Sequence, residues 1–163
     1  MELEDTAELL GRVPIFQGLT PGQLIGIASY GKEVFFEFGE AILEAGEIGD
    51  NAYLILTGFV TPEGNFDAWF TEELLGQGTF LGELAMLVET TFTMTVTARW
   101  DVCALALPRK SMYRLMEYDP GIAHHFAGKV VERLRLLAND MRRAEGRFAR
   151  IEDSLEDTIS MVS

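Results

Sequence analysis

Two neighbouring stretches hold the residue types that could do chemistry. The first is Gly82-Glu83-Leu84-Ala85-Met86-Leu87, and the second is Thr91-Phe92-Thr93-Met94-Thr95-Val96-Thr97-Ala98. Gly82 lets backbone approach a ligand closely, and a short helical turn beginning near Glu83 would aim N–H groups at an anion. The pattern is an anion cradle without a cation, because no lysine or arginine stands between Gly82 and Ala98.

Other candidates for chemistry are weaker. His124 and His125 are adjacent, so on a helix they point about 100° apart and cannot chelate one ion from one face. They read as structural or surface histidines, and no metal site is expected. The lone cysteine, Cys103, sits in the apolar run Val102 to Leu107 and reads as a small buried hydrophobe. The strand-rich region from Lys32 to Leu107 contains no histidine, which argues against a His-based metal oxygenase. No Gly-x-Ser-x-Gly or Walker pattern is present, and nothing sets a nucleophile beside a base. The chain is expected to be non-catalytic and to need no cofactor.

These residues must be positioned by short strands. From Lys32 to Leu107, glycines punctuate apolar and β-branched runs: Val34–Phe38, Ala41–Leu43, Ala52–Leu56, Phe59–Val60, Asp67–Phe70, Thr91–Ala98 and Val102–Leu107. Such spacing predicts a barrel-like sandwich. In Thr91–Ala98 threonine alternates with Phe92, Met94, Val96 and Ala98, which predicts one apolar and one hydroxyl-lined face. An amphipathic helix is expected from Glu2 to Leu10. A second is expected after Thr20, with Pro21 at its first position and Gln23 at its third. After Pro108 the sequence turns helical, through Arg109–Glu117 and then from about Pro120 onward. Ala127, Val131, Leu134, Ala138, Met141, Phe148, Leu155, Ile159 and Val162 approach a three-four spacing and make an apolar stripe. Gly146 weakens a continuous helix there by about 1 kcal/mol.

In order and spacing these segments resemble the cyclic nucleotide-binding domain family. Beyond the cassette at Gly82, the likeness rests on Pro14-Ile15-Phe16-Gln17-Gly18-Leu19-Thr20, Gly39-Glu40-Ala41-Ile42-Leu43-Glu44-Ala45-Gly46-Glu47, Tyr53 to Val60, and Leu75 to Glu83. It covers most of residues 9 to 142. The resemblance implies a mainly β fold with α: an eight-stranded double-stranded β-helix, or β-roll, flanked by N-terminal helices and a long C-terminal helix. It implies a domain over residues 1–143, with the roll at about 32–107 and C-terminal helices at about 109–143. Residues 144–163 would form an acidic tail, helical or disordered. Phe148, Ile151, Leu155 and Ile159 of that tail would extend the dimer stripe or fold back over the roll.

The resemblance also assigns roles. It places a ligand pocket at Gly82, Glu83, Leu84, Ala85, Phe92 and Thr93, with Glu83 on a ribose hydroxyl. It places lid residues at Leu134, Leu137 and Ala138, and a homodimer contact along Ala127, Val131, Leu134, Ala138 and Met141. The family carries an arginine on the cyclic phosphate at the position of Phe92. Losing one partner of such a desolvated pair costs about 3 to 5 kcal/mol, which takes a micromolar site to roughly millimolar. Glu83 would then face the phosphate with no intervening cation. Arg99 is seven residues further on, more than about 20 Å of extended chain, and is a poor substitute.

The expected effector, if any, is a small molecule other than cAMP or cGMP, bound by a regulatory module. Phe92 either fills the vacated pocket as core or lines a pocket converted to apolar ligands. Two further readings stay open: a ligand-free dimerisation or docking scaffold, and an unorthodox cyclic-nucleotide sensor using backbone N–H groups and Thr93.

Composition bounds the rest. A chain of 163 residues fits one domain able to bury about 70% of its unfolded surface. Its net charge of −13, from 26 acidic and 13 basic residues, repels a phosphate backbone, so nucleic acid is not an expected partner. The charge serves solubility or attraction to a basic partner. About 20 residues after Arg143 are too few and too acidic to read DNA. No basic leader and no long apolar run appear, so neither secretion nor a membrane span is expected, and the lone cysteine suits a reducing cytoplasm.

Overall fold

The computed structural model describes residues 1–63 and 73–162. The strand expected at Asp67–Phe70 lies outside the described residues. The chain opens with helix α1 (Leu3–Gly11), a 3-10 turn at Pro14–Phe16, and helix α2 (Pro21–Tyr30). Helix α2 starts where the sequence requires. The Thr20 hydroxyl accepts from Gln23 N–H at 3.2 Å, and the Gln23 side chain accepts from Thr20 N–H at 3.0 Å. That reciprocal pair satisfies two otherwise orphaned donors.

Nine short strands follow among the described residues. They are β1 (Lys32–Phe36), β2 (Ala41–Leu43), β3 (Ile48–Gly49), β4 (Asn51–Thr57), β5 (Val60–Pro62), β6 (Phe80–Leu81), β7 (Thr90–Thr91), β8 (Val96–Ala98) and β9 (Val102–Pro108). They pair antiparallel in the orders β1-β9-β4-β6, β2-β8-β5 and β3-β7. Together they make the β-roll. Its interior is an apolar cluster that includes Ile42, Leu43, Ile55, Val60, Val96, Ala98 and Ala104, with Phe92 packed against it. Helix α3 (Arg109–Tyr118) follows β9 directly, and Met112 and Leu115 on it are buried.

The expected strand Thr91–Ala98 is broken in two. β7 ends at Thr91, the backbone bends at Thr93 and Met94, and β8 begins at Val96. The two halves have different partners, β3 for the first and both β2 and β5 for the second. Changing partners rotates the faces, so the alternation fails: Met94 is 48% exposed, while Thr97 is buried and bonds to Glu63 Oε1 at 2.6 Å. Cys103 also departs from expectation, being half-buried instead of buried. It pairs across to Phe35 and Thr57, both exposed.

Helix α4 runs unbroken from Pro120 to Val162, about 65 Å at 1.5 Å per residue, with Gly128 and Gly146 inside it. The chain divides into two compact units, Met1–Ala123 and His124–Ser163. In the second unit, His124 is exposed, and His125 meets Phe126 edge-on at 5.4 Å. Val131, Leu134, Met141, Phe148, Leu155, Ile159 and Val162 are all exposed, and so are Leu137 and Ile151. No helix among the described residues is long and apolar enough to cross a membrane.

Candidate functional site

Gly82 occupies the left-handed region, φ 66° and ψ 36°, and caps a 3-10 turn over Glu83–Met86. An L side chain is strained there, so the glycine is required by the turn itself. The turn closes through Ala85 N–H to Gly82 O at 2.9 Å and Leu87 N–H to Leu84 O at 3.0 Å. Ala85 and Met86 point into the core, Glu83 is half-buried, and Leu84 is exposed.

Phe92 reaches this turn from the other side. Its backbone is fixed by Phe92 N–H to Glu47 O and Gly46 N–H to Phe92 O, both 2.9 Å. Its ring lies against two glycines. A Cβ on Gly49 would stand 2.6 Å from Phe92 Cε1, and one on Gly82 would stand 3.0 Å from the same atom. The Ala85 methyl lies 3.0 Å from that Gly49 position. The close approach that glycines allow is thus used by an aromatic ring. The structure brings Gly82, Ala85 and Phe92 together, with Glu83 beside them in the chain. Leu84 and Thr93 are exposed, and Leu134, Leu137 and Ala138 belong to α4 in the second unit.

Sequence reasoning missed the cation behind the turn. Arg109, the first residue of α3, donates from its NH1 nitrogen to Gly49 O at 3.0 Å, Ala85 O at 3.2 Å and Val88 O at 3.0 Å. Its NH2 nitrogen meets Asp50 Oδ1 at 3.2 Å, and its backbone N–H bonds to Asp50 O at 2.9 Å. One turn on, the Tyr113 hydroxyl donates to Leu87 O. A guanidinium with its side chain only 17% exposed therefore ties β3, the cassette turn and α3 together. Nothing local signals this, because Arg109 lies 59 or 60 residues from the Asp50 and Gly49 oxygens it holds. Nearby in β4, burial pushes the Tyr53 phenol up, its hydrogen bond with Asn51 draws it back, and the Asp50 carboxylate adds to the rise.

Residues 33–119, more than half of the chain, match the family model described as the cyclic nucleotide-binding domain. The chain belongs to this family. It is 32% identical over 126 residues to the cyclic AMP receptor protein of Thermus thermophilus, covering 75% of this chain and 57% of that one. It is 26% identical over 147 residues to a CRP-like cAMP-activated global transcriptional regulator of Mycobacterium tuberculosis, covering 87% of this chain and 61% of the relative. The chain thus spans less than two thirds of these curated relatives. Among solved structures, the N-terminal domain of a transcriptional regulator from Streptomyces coelicolor superposes with a TM-score of 0.70. It has 26% identity and covers 82% of this chain and 94% of that one.

Proposed function

We propose that this chain is a non-catalytic regulatory module of the cyclic nucleotide-binding domain family whose phosphate position is closed by Phe92. In this reading cAMP and cGMP have no physiological affinity for it. The observation that carries it is the Phe92 ring packed on Gly49 and Gly82 and anchored to the core cluster. That packing favours a filled pocket over an apolar effector site, so the module acts as a dimerisation or docking element. Arg109 does not replace the missing arginine, because its NH1 nitrogen already faces three carbonyl oxygens.

The second copy, in this reading, lies along α4, and the module works in the cytoplasm with its one cysteine reduced. A cyclic-nucleotide sensor is the competing reading. It is favoured by the names of the relatives, which are a cAMP receptor and a cAMP-activated regulator. Isothermal titration with cAMP and cGMP to about 1 mM decides between them. No saturable heat is expected from the natural chain, whereas Phe92→Arg should gain measurable affinity by restoring a charge-assisted fork. Micromolar binding by the natural chain would overturn the proposal.

A further inference from the structure

Three loops meet at one end of the roll and hold three exposed aromatic side chains. They are the β1–β2, β4–β5 and β8–β9 connections, and they are tied together by backbone hydrogen bonds: Gly39 N–H to Ala98 O, Ala98 N–H to Glu40 O and Arg99 N–H to Phe59 O, all at 2.8 Å. Phe38 N–H also meets Asp101 Oδ1 at 3.4 Å. Gly58, at φ 88°, allows the closeness, since a Cβ there would stand 3.0 Å from Val102 Cα. From this fixed frame Phe38 and Trp100 project with 67% and 68% exposure and Phe59 with 47%, and Phe35, near the end of β1, is 74% exposed. Single exposed apolar residues are ordinary, but three aromatics on converging, mutually bonded loops form a patch of the kind that marks a contact surface. The loops are already ordered, so little conformational entropy is lost on contact.

The rim states the chemistry of the partner. Glu37, Glu40 and Asp101 are exposed on the same loops. The surrounding unit, Met1–Ala123, holds 19 acidic against 6 basic residues, so the whole net charge of −13 resides there. Anionic lipid and nucleic acid are repelled by such a surface. We propose that this aromatic tip, rimmed by Glu37, Glu40 and Asp101, is a docking surface for a protein segment carrying lysine or arginine beside apolar side chains. Aromatic anchors contribute the affinity, and the carboxylates contribute orientation and rate.

The test uses a synthetic helical peptide of leucine and lysine, and its leucine and glutamate counterpart, titrated into the full chain. Trp69→Phe leaves Trp100 as the one tryptophan reporter. Saturable 1:1 binding of the lysine peptide is expected, with a blue shift of Trp100 emission and weakening by salt. Phe38→Ser and Glu37→Lys, both at exposed side chains, should each reduce affinity by at least about tenfold with an unchanged circular dichroism spectrum. Four outcomes overturn the proposal: no saturation by 1 mM, equal affinity for the glutamate peptide, unchanged affinity in both variants, or a Trp100 shift that tracks only self-association of the chain.

Discussion

At residue scale, the proposed closure of the cassette rests on the packing of Phe92. The ring and the two glycines beneath it form one packed unit, so their substitutions should not add. Gly49→Ala is expected to destabilise the fold by about 1 to 3 kcal/mol, because its methyl group meets the ring at far less than van der Waals distance. In a Phe92→Ala background that penalty should largely vanish, leaving a coupling energy of at least about 1 kcal/mol in a double-mutant cycle measured by urea unfolding. Additive effects would mean that the ring does not rest on Gly49. Cys103 gives a second expectation at this scale. Its thiol is raised by burial and by Glu33, so less thiolate is present at neutral pH. Alkylation by iodoacetamide at pH 7.5 should be slower than that of free cysteine, with a rate midpoint at higher pH, and a faster rate would contradict the raised thiol. The aromatic side chain at position 92 was legible in the sequence. What the ring touches was not, because Gly49 and Gly82 reach it from separate segments.

Among the elements, those bounded by local chemistry were legible and those bounded by distant partners were not. The Thr20 capping box, the start of α3 after Pro108 and the apolar runs of β4 and β9 are written in neighbouring residues. The two-residue strands β3, β6 and β7 are too short to carry a period, and their pairing alone defines them. The alternation in Thr91–Ala98 misled because the chain changes sheets within it. Arg109 is the main element-scale device that no pattern signalled. Arg109→Ala should leave the Gly49, Ala85 and Val88 carbonyls without their donor and cost about 2 to 4 kcal/mol. Amide exchange of Leu87 and Val88 should accelerate more than that of β4. Uniform acceleration would show that Arg109 stabilises the fold at large without fixing the cassette turn to α3.

On the scale of the whole molecule, α4 carries more apolar surface than an isolated helix keeps exposed. The stripe expected from the sequence, through Val131, Ala138 and Ile159, contains Glu145 and Glu152 at its own spacing. One position over, a second line runs Ala127, Val130, Leu134, Leu137, Met141, Ala144, Phe148, Ile151, Leu155, Thr158 and Val162 without a charge. Its alternating steps of three and four are the period of a left-handed two-helix seam, and it continues through the acidic tail. A parallel pair would set Arg147 against the partner's Glu152, with Asp140 against the partner's Glu145 as an opposing like pair. An antiparallel pair with Phe148 against the partner's Ile151 would set Glu145 against the partner's Glu152. Glu152→Lys therefore has opposite signs in the two arrangements. We expect the parallel one, in which two attractive pairs become repulsive, and the dimer Kd should rise by roughly tenfold at low salt. Sedimentation equilibrium of the full chain reads this directly. Tighter association of Glu152→Lys would identify the antiparallel pair, and a monomeric natural chain at about 100 µM would remove the seam altogether. A Thr158→Cys variant on a Cys103→Ser background gives an independent reading. Two parallel helices bring position 158 onto itself and should cross-link on oxidation. Antiparallel helices place it against the partner's Met141, and no cross-link should form.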